Sequence, residues 1–241
     1  MKKTVILLAV ATLLIALVGC ATTGGLPTFG AEIGSQSNPM PGGDPIRIAY
    51  SDLQSYYGYV MPGSEPDAVV DGKNMYFLYL WVPIVAPEIG VRMISPVPEG
   101  MMPEETDFVS PLWEEGKEDM ENYFDTWITL ERALMVINPE DIEANIATTE
   151  WIRYDSNDDS SEMPVNPGGS RYNSLMRIVS EPSDPLRALV RGLYRIGFTT
   201  YKRGEVQGTF LAQVGAPVEI PGVVVAKDID DMIMKIEAAE E

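Results

Sequence analysis

The chain has 241 residues, one cysteine and no histidine, and its 36 acidic residues against 17 basic ones give a formal net charge of −19. Without histidine, Ser-His-Asp and Cys-His catalysis and the usual zinc and non-haem iron sites are excluded. The acidity disfavours nucleic acid and anionic membrane surfaces as partners, and it leaves basic partners and hard cations bound through oxygen.

Residues 1–19 predict a lipoprotein signal peptide. Two lysines precede the apolar run of residues 4–18, and the sequence LVGC at 17–20 is a lipobox, with a small residue directly before the cysteine. We expect cleavage before Cys20 and its acylation, palmitate included. The mature chain then has 15 basic and 36 acidic residues and a formal charge of −21. A transmembrane anchor is the alternative, because the apolar run is about long enough to span a bilayer.

The mature chain begins with a predicted tether. Ala21, and not an aspartate that would favour the inner membrane, follows the cysteine, so we expect the outer membrane. Residues 20–45 carry many Gly, Pro and Ser and predict a flexible linker behind the lipidated Cys20. Residues 46–241 show no repeat and no convincing boundary, and we expect one domain there.

Most of the remaining elements are predicted to be strands, because aromatic and β-branched residues dominate them. The predicted strands are residues 75–83, 91–95, 124–137, 171–179 and 188–201. The first is expected to be buried on both faces, and the last to place Tyr194, Ile196 and Phe198 on one face. A turn at residues 202–205 is expected to return the chain as a hairpin partner over 206–214.

Three helices are predicted. Residues 138–147 have Asn138 as N-cap and Pro139 at the first helical position, and a second helix is expected from Pro111. A C-terminal helix over 228–241 carries the apolar stripe Ile229, Met232, Ile233 and Ile236, which predicts a docking face. The fold class is therefore mainly β, an antiparallel, jelly-roll-like β-sandwich with a few short peripheral helices and a C-terminal helix.

Several aromatic and acidic runs can be interpreted either as ordinary core or surface, or as functional sites. We interpret the aromatic runs at 55–59 and 76–81 as core, and not as an exposed patch or a sugar-binding platform. We interpret the acidic runs at 104–107 and 114–115 as solvated faces, and not as the paired acids of a glycosidase.

The segment RYDSNDDSSEMPVNPGGSRY at residues 153–172 has two open interpretations. Asp155, Asp158 and Asp159 lie close together among serines, prolines and glycines. This composition is typical of a solvated loop, but it also offers the carboxylate and main-chain oxygens that Ca²⁺ prefers. The spacing of an EF-hand is absent.

Several longer strings resemble a known family. They include YYGYVMPG (56–63), FLYLWVP (77–83), GVRMISP (90–96), YFDTWI (123–128), RYNSLMRI (171–178) and LVRGLYRIGFTTYKRGEVQGTF (189–210). Their order and spacing, together with the lipobox, resemble the family of the major outer-membrane surface lipoprotein of pathogenic leptospires. The resemblance covers about residues 50–215.

The resemblance implies a jelly-roll-like sandwich with one Ca²⁺ site. Carried over residue by residue, the ligands are Asp125 and Thr126 of FDTW, the neighbouring Asp158 and Asp159, and Tyr172 of YNSL. The aspartates would supply charged oxygens, Thr126 a hydroxyl or carbonyl, and Tyr172 its main-chain carbonyl. The family has an unbroken aspartate run, and here serines interrupt it, which should weaken calcium affinity.

The resemblance also implies a function, and two alternatives remain. We expect a non-catalytic, lipid-anchored surface protein of the outer membrane that binds calcium and acts as an adhesin for extracellular-matrix proteins such as laminin, collagen and fibronectin. The alternatives are a structural envelope lipoprotein without a specific ligand and a carbohydrate-binding jelly-roll module. Homodimerisation through strand edges or through the C-terminal helix is open.

Overall fold

The computed structural model describes residues 34–36, 47–49, 52–217 and 220–240. Its strands are β1 (Gly34–Gln36), β2 (Arg47–Ala49), β3 (Asp52–Val60), β4 (Ala68–Val70), β5 (Lys73–Val85), β6 (Glu88–Ile94), β7 (Phe108–Val109), β8 (Thr126–Ala133), β9 (Trp151–Asn157), β10 (Ser174–Val179), β11 (Val190–Thr200), β12 (Gly208–Ala216) and β13 (Val224–Ala226). Its helices are α1 (Trp113–Gly116), α2 (Glu140–Asn145) and α3 (Ile229–Glu240). The predicted signal peptide, Cys20 and most of the predicted tether lie outside the described residues.

Two antiparallel sheets form a sandwich-like arrangement. One sheet has the order β10-β6-β12-β3-β7, and the other has the order β13-β5-β11-β8-β9 with β4 added to β5. The short pairing of β3 with β7 is parallel, whereas the other pairings of these two sheets are antiparallel. The predicted mainly-β antiparallel sandwich is confirmed. Within the described residues, no helix is apolar over a sufficient length to span a bilayer.

The main core lies between the two sheets because each contributing strand turns alternate apolar side chains inward. Tyr194, Ile196 and Phe198 of β11 are fully buried there, as the alternation predicts. From the other sheet, β12 contributes Phe210 and Val214. Burying side chains of this size stabilises the fold by roughly 1.5–3 kcal/mol each.

The outer face of β5 is buried as well, which confirms the prediction for this strand. Trp81 packs against Met232 and Ile236 of α3 and Ile142 of α2, in a second layer of apolar contacts. The apolar stripe of the C-terminal helix therefore docks on its own domain. The aromatic run 76–81 is largely core, and Tyr56, Tyr57 and Tyr59 of β3 are buried too, so both interpretations as core are confirmed.

The predicted hairpin between β11 and β12 is wrong. β11 pairs with β5 and β8, whereas β12 pairs with β3 and β6 in the opposite sheet. The chain after Thr200 therefore crosses from one sheet to the other. Both segments have one buried face, and Phe198 and Phe210 meet in the same core from opposite sides. Alternation alone cannot tell strands that lie side by side from strands that face each other.

The helix predicted from Pro111 is only the single turn of α1. The ring of Tyr59 packs directly over Gly116, where a Cβ atom would collide with it. Helix α2 also differs at its start, because Pro139, and not Asn138, occupies the N-cap position. The carboxylate of Asp141 accepts the N–H of Asn138 at 2.8 Å instead.

Several strand boundaries differ from the predictions. The strand predicted over 124–137 is β8 and ends at Ala133, and the strand predicted over 171–179 begins at Ser174. The segment 153–172 is not wholly a loop, because its first residues continue β9 as far as Asn157. Met163 in the same segment is buried in an apolar cluster with Trp113.

Candidate metal site

The antiparallel order of the strands brings the predicted ligands to one end of the sandwich. Asp125 directly precedes β8, and β9 pairs with β8 so that Asn157 lies opposite Ile128. The chain leaving β9 therefore delivers Asp158 and Asp159 beside the start of β8. The residues that precede β10, Tyr172 among them, arrive at the same end.

Tyr172 and Thr126 are joined directly. The main-chain carbonyl oxygen of Tyr172 accepts the N–H of Thr126 at 2.9 Å and the Thr126 hydroxyl at 3.1 Å. Thr126 is completely buried, whereas the side chain of Tyr172 is exposed. The carbonyl of Tyr172, and not its phenol, is therefore the group that lies next to the Asp125–Thr126 pair.

The hydroxyl of Ser174 connects the acidic loop to this pair. Its Oγ lies 2.8 Å from the carbonyl oxygen of Thr126, 3.2 Å from that of Asp158 and 2.7 Å from the Thr126 hydroxyl. Ser174 is itself fully buried. Four residues from three separate segments thus share one hydrogen-bonded cluster.

The carboxylate of Asp125 interacts with the charges of several neighbouring side chains in this cluster. Among the described residues its Oδ1 is buried and has no hydrogen-bond partner. Burial, together with the negative charges of Asp159 and Asp158, raises the pKa of Asp125 to about 6, against the opposing charges of Lys202 and Lys73. Burial and the charge of Asp158 likewise raise the pKa of Asp159. Carboxylates that destabilise one another in this way would be stabilised by a cation.

The segment that carries Asp158 and Asp159 is fixed by side-chain hydrogen bonds. The Oδ1 of Asn157 accepts the N–H of Leu175 at 3.0 Å, and Asn173 donates from its Nδ2 to the carbonyl of Pro164 at 2.8 Å. Farther along, the guanidinium of Arg177 and the carboxylate of Glu162 form two hydrogen bonds of 2.9 and 3.0 Å. The acidic loop is therefore packed against the sandwich and does not resemble a freely solvated turn.

Lys73 borders the cluster on the side of β11. Its ammonium donates to the main-chain carbonyls of Thr200, at 3.0 Å, and of Tyr201, and it lies 4.6 Å from the centre of the Trp127 ring. The N–H of Tyr201 in turn donates to the carbonyl of Asp125 at 2.9 Å. Desolvation lowers the pKa of Lys73, with a further contribution from Arg203.

The three carboxylates do not converge by themselves. Within the described ranges, no group of three or more His, Cys, Asp or Glu side chains is arranged to hold a metal ion. A cation at this end of the sandwich would therefore also need neutral oxygens, of which the cluster offers the Thr126 hydroxyl and main-chain carbonyls.

Comparison with known proteins identifies the family. The model of the Lipl32 family, described as surface lipoproteins of the Spirochaetales order, matches residues 44–225, well over half of the chain. The chain belongs to this family. The resemblance seen in the sequence is thereby confirmed, and a surface lipoprotein agrees with the predicted lipobox at Cys20. No curated protein matches the chain.

Two residues of this spirochaete surface lipoprotein were not found from the sequence. Ser174 is the hydroxyl that joins the loop to β8, and Lys73 supplies the nearby ammonium. Ser174 stands inside the YNSL string, two residues after Tyr172, so that motif contained a signal. Lys73 lies 52 residues before Asp125, and nothing in its local sequence indicates the contact.

Proposed function

We propose that this surface lipoprotein binds calcium between the start of β8 and the loop of residues 158–172, and that it acts as a non-catalytic binding protein. The observation that supports the proposal is the unpartnered, buried Oδ1 of Asp125, which lies close enough to Asp158 and Asp159 for their charges to raise its pKa. Desolvated carboxylates of like charge are costly unless a cation compensates them.

The cluster has the oxygen chemistry that calcium requires. Ca²⁺ takes six to eight oxygen ligands from carboxylates, carbonyls, hydroxyls and water. Asp125, Asp158 and Asp159 would supply charged oxygens, and Thr126 and the carbonyl of Tyr172 would supply neutral ones. Bound calcium would neutralise the repulsion among the carboxylates and hold the loop against the sandwich.

The serines that interrupt the acidic run set an expectation for affinity. Ser156, Ser160 and Ser161 stand next to the aspartates, and fewer charged ligands give weaker calcium binding. We therefore expect the affinity of an extracellular calcium module, with a Kd on the order of 10⁻⁴–10⁻³ M.

The surface around the cluster suits a protein partner. Tyr172, Tyr201, Lys202 and Arg203 are exposed beside the aspartates, so aromatic and basic groups border an acidic centre. Aromatic and arginine side chains are common contact residues at protein interfaces. We propose extracellular-matrix proteins, such as laminin, collagen and fibronectin, as the partner class, with calcium fixing the surface that they contact.

Thermal unfolding tests the calcium proposal. We expect calcium at 100 times its Kd to stabilise the wild-type protein by about 2.7 kcal/mol, which raises its Tm, and we expect the Asp159→Ala variant to lose this rise. Asp155→Ala is the matched control, because Asp155 belongs to the same acidic run but is not a proposed ligand. An equal rise in all three proteins would contradict the proposed ligand set.

A solid-phase assay tests the partner proposal separately. Immobilised laminin, collagen and fibronectin should capture the lipoprotein in a saturable manner, and more strongly with calcium than with a chelator. A scrambled acidic polypeptide of equal charge is the control. Equal capture of the control would reject matrix binding while leaving calcium binding to be decided by the unfolding data.

A further inference from the structure

The end of the sandwich opposite the candidate metal site carries a concentration of exposed apolar side chains. Seven large apolar residues there are 43–73% exposed: Ile84, Val85, Leu134, Met135, Ile137, Val179 and Leu186. We call this set the apolar end. It contains seven of the sixteen exposed large hydrophobic residues among those that the structure describes, whereas such residues are ordinarily scattered singly over a protein surface.

Strand pairing places two of the contributing loops together. β5 ends at Val85, and β6 begins three residues later at Glu88, which lies opposite Val179 at the end of β10. Main-chain hydrogen bonds of 2.8 and 2.9 Å join the turn at residues 86–87 to residues 189 and 180. The loop that carries Leu186 is therefore fixed beside Ile84 and Val85.

The turn after β8 lies at the same end. Arg191 donates from its Nε to the carbonyl of Ile137 at 3.1 Å, and Arg132 donates to the carbonyl of Arg191 at 3.0 Å. Val190, next to Arg191, lies opposite Val85. Leu134, Met135 and Ile137 thus extend the surface formed by the other two loops.

The chain from the predicted lipid anchor enters the domain at this end. Asp52, the first residue of β3, lies opposite Ala216, and the neighbouring Gly215 lies opposite Gly90 at the start of β6. The segment of 31 residues between Cys20 and Asp52 therefore joins the sandwich on the side where the apolar end lies.

We propose that the apolar end contacts the lipid–water interface of the membrane that holds the acylated Cys20. The proposal rests on lipidation of Cys20 and is independent of calcium binding. Burial of exposed apolar side chains in the interface is favourable. The exposed Arg191, and the exposed Arg187 that pairs with Glu181, lie in or next to the same loops, and long basic side chains can keep their charge at headgroup level. Because the chain is strongly acidic overall, the contact is expected with zwitterionic and not with anionic lipid.

This contact orients the molecule. β8 runs from Thr126 at the candidate metal site to Ala133 next to the apolar end, a distance of about 24 Å for seven steps of roughly 3.4 Å. Contact at the apolar end therefore holds the candidate metal site, with the aromatic and basic side chains around it, away from the bilayer. A partner can reach the site in this orientation.

Site-specific fluorescence on the lipidated protein tests the orientation. Acylation consumes the single cysteine, so Leu186→Cys and Val165→Cys each introduce one thiol for an environment-sensitive dye. Both positions are exposed, at 66% and 55%, and Val165 lies in the loop of the candidate metal site. In phosphatidylcholine vesicles with nitroxide-labelled lipid, we expect a blue shift and strong quenching at position 186 and neither at 165. Equal quenching at the two positions, or none at 186, would overturn the proposal.

A second variant separates lipid contact from contact between copies of the protein. Ile84→Ser with Met135→Ser should sharply reduce quenching at position 186 while flotation shows that the acylated protein stays on the vesicles. Both residues are exposed, so the fold should be retained. A blue shift at 186 that grows with protein concentration at a fixed lipid concentration would assign the apolar end to contacts between copies and would overturn the membrane assignment.

Discussion

The carbonyl oxygen of Tyr172 accepts two hydrogen bonds from Thr126, from its N–H at 2.9 Å and from its hydroxyl at 3.1 Å. These two residues are separated by 45 others and belong to the two strings that carry the proposed neutral ligands. Their contact is part of the protein fold. The proposed neutral ligands are therefore already held together by the fold. The negative charges of Asp158 and Asp159, in contrast, raise the pKa of Asp125 and so disfavour its ionised form.

Replacing Ser174 by alanine should loosen the acidic loop. The Ser174 hydroxyl is buried among oxygens of Thr126 and Asp158, and its loss removes the link between them. We expect a decrease of about 1–2 kcal/mol in the free energy of unfolding, and faster proteolytic cleavage within residues 158–172. Ser183→Ala, in the exposed loop before β11, is the matched control. Identical cleavage rates for the two variants would show that Ser174 does not hold the loop.

The ionisation of Asp125 predicts a pH dependence of the metal-free protein. The pKa of Asp125 is about 6 in the folded state against an ordinary value of 3.8, so the folded state holds the proton more tightly than the unfolded state. This contribution to stability is fully present below about pH 4 and is lost as the pH rises through about 6. The Tm of the wild type, measured relative to Asp125→Asn in a chelator, should therefore fall between pH 4 and 7.

The response to calcium gives two further predictions for Asp125. Calcium should raise the Tm of the wild type at pH 7 but should not raise that of Asp125→Asn. Calcium affinity should weaken below about pH 6, because protons and calcium compete for the carboxylate. A Tm difference between the two metal-free proteins that does not change with pH would show that Asp125 titrates normally.

How far the sequence predicts the fold can be judged from β11 and β12. The alternation of Tyr194, Ile196 and Phe198 identified the buried face of β11 correctly, because side-chain direction follows from a period of two residues. The partner of each strand depends on contacts across the core, and Phe210 packs against that face from the other sheet. No local pattern carries this information, so the hairpin prediction failed.

The candidate site likewise combines residues that the sequence predicts with a residue that only the assembled structure shows. Asp125, Thr126, Asp158, Asp159 and Tyr172 could be proposed because the family strings contain them, and the structure brings their segments to one end of the sandwich. The ammonium of Lys73 donates to the main-chain carbonyl of Thr200, more than 120 residues later. Because every residue has such a carbonyl, the sequence does not indicate which one Lys73 contacts. A contribution of this kind becomes visible only after the strands have been assembled.

Replacing Lys73 by methionine should destabilise the end of β11 and change the titration of Asp125. The variant keeps the apolar stem but leaves the carbonyls of Thr200 and Tyr201 without their donor, which costs about 1–3 kcal/mol. The positive charge of Lys73 lowers the pKa of Asp125, so its removal should raise that pKa further.

Urea unfolding and a carboxyl titration by NMR measure these two effects. Lys117→Met is the matched control, because the ammonium of Lys117 pairs with an exposed glutamate in α1. If the two variants share one unfolding midpoint and one Asp125 titration curve, Lys73 has no special role at this end of the sandwich.

Calorimetric titration of calcium into metal-stripped residues 21–241, which leave out the lipid-bearing Cys20, tests the central claim most directly. It should be repeated with Asp158→Ala combined with Asp159→Ala, and with Glu104→Ala combined with Glu105→Ala, an exposed acidic pair outside the proposed ligand set that gives the same change of charge. We predict saturable binding near one ion per chain in the wild type and in the glutamate control, and none in the aspartate variant. Absence of binding in the wild type, or equal binding in all three proteins, would contradict a calcium site at the start of β8.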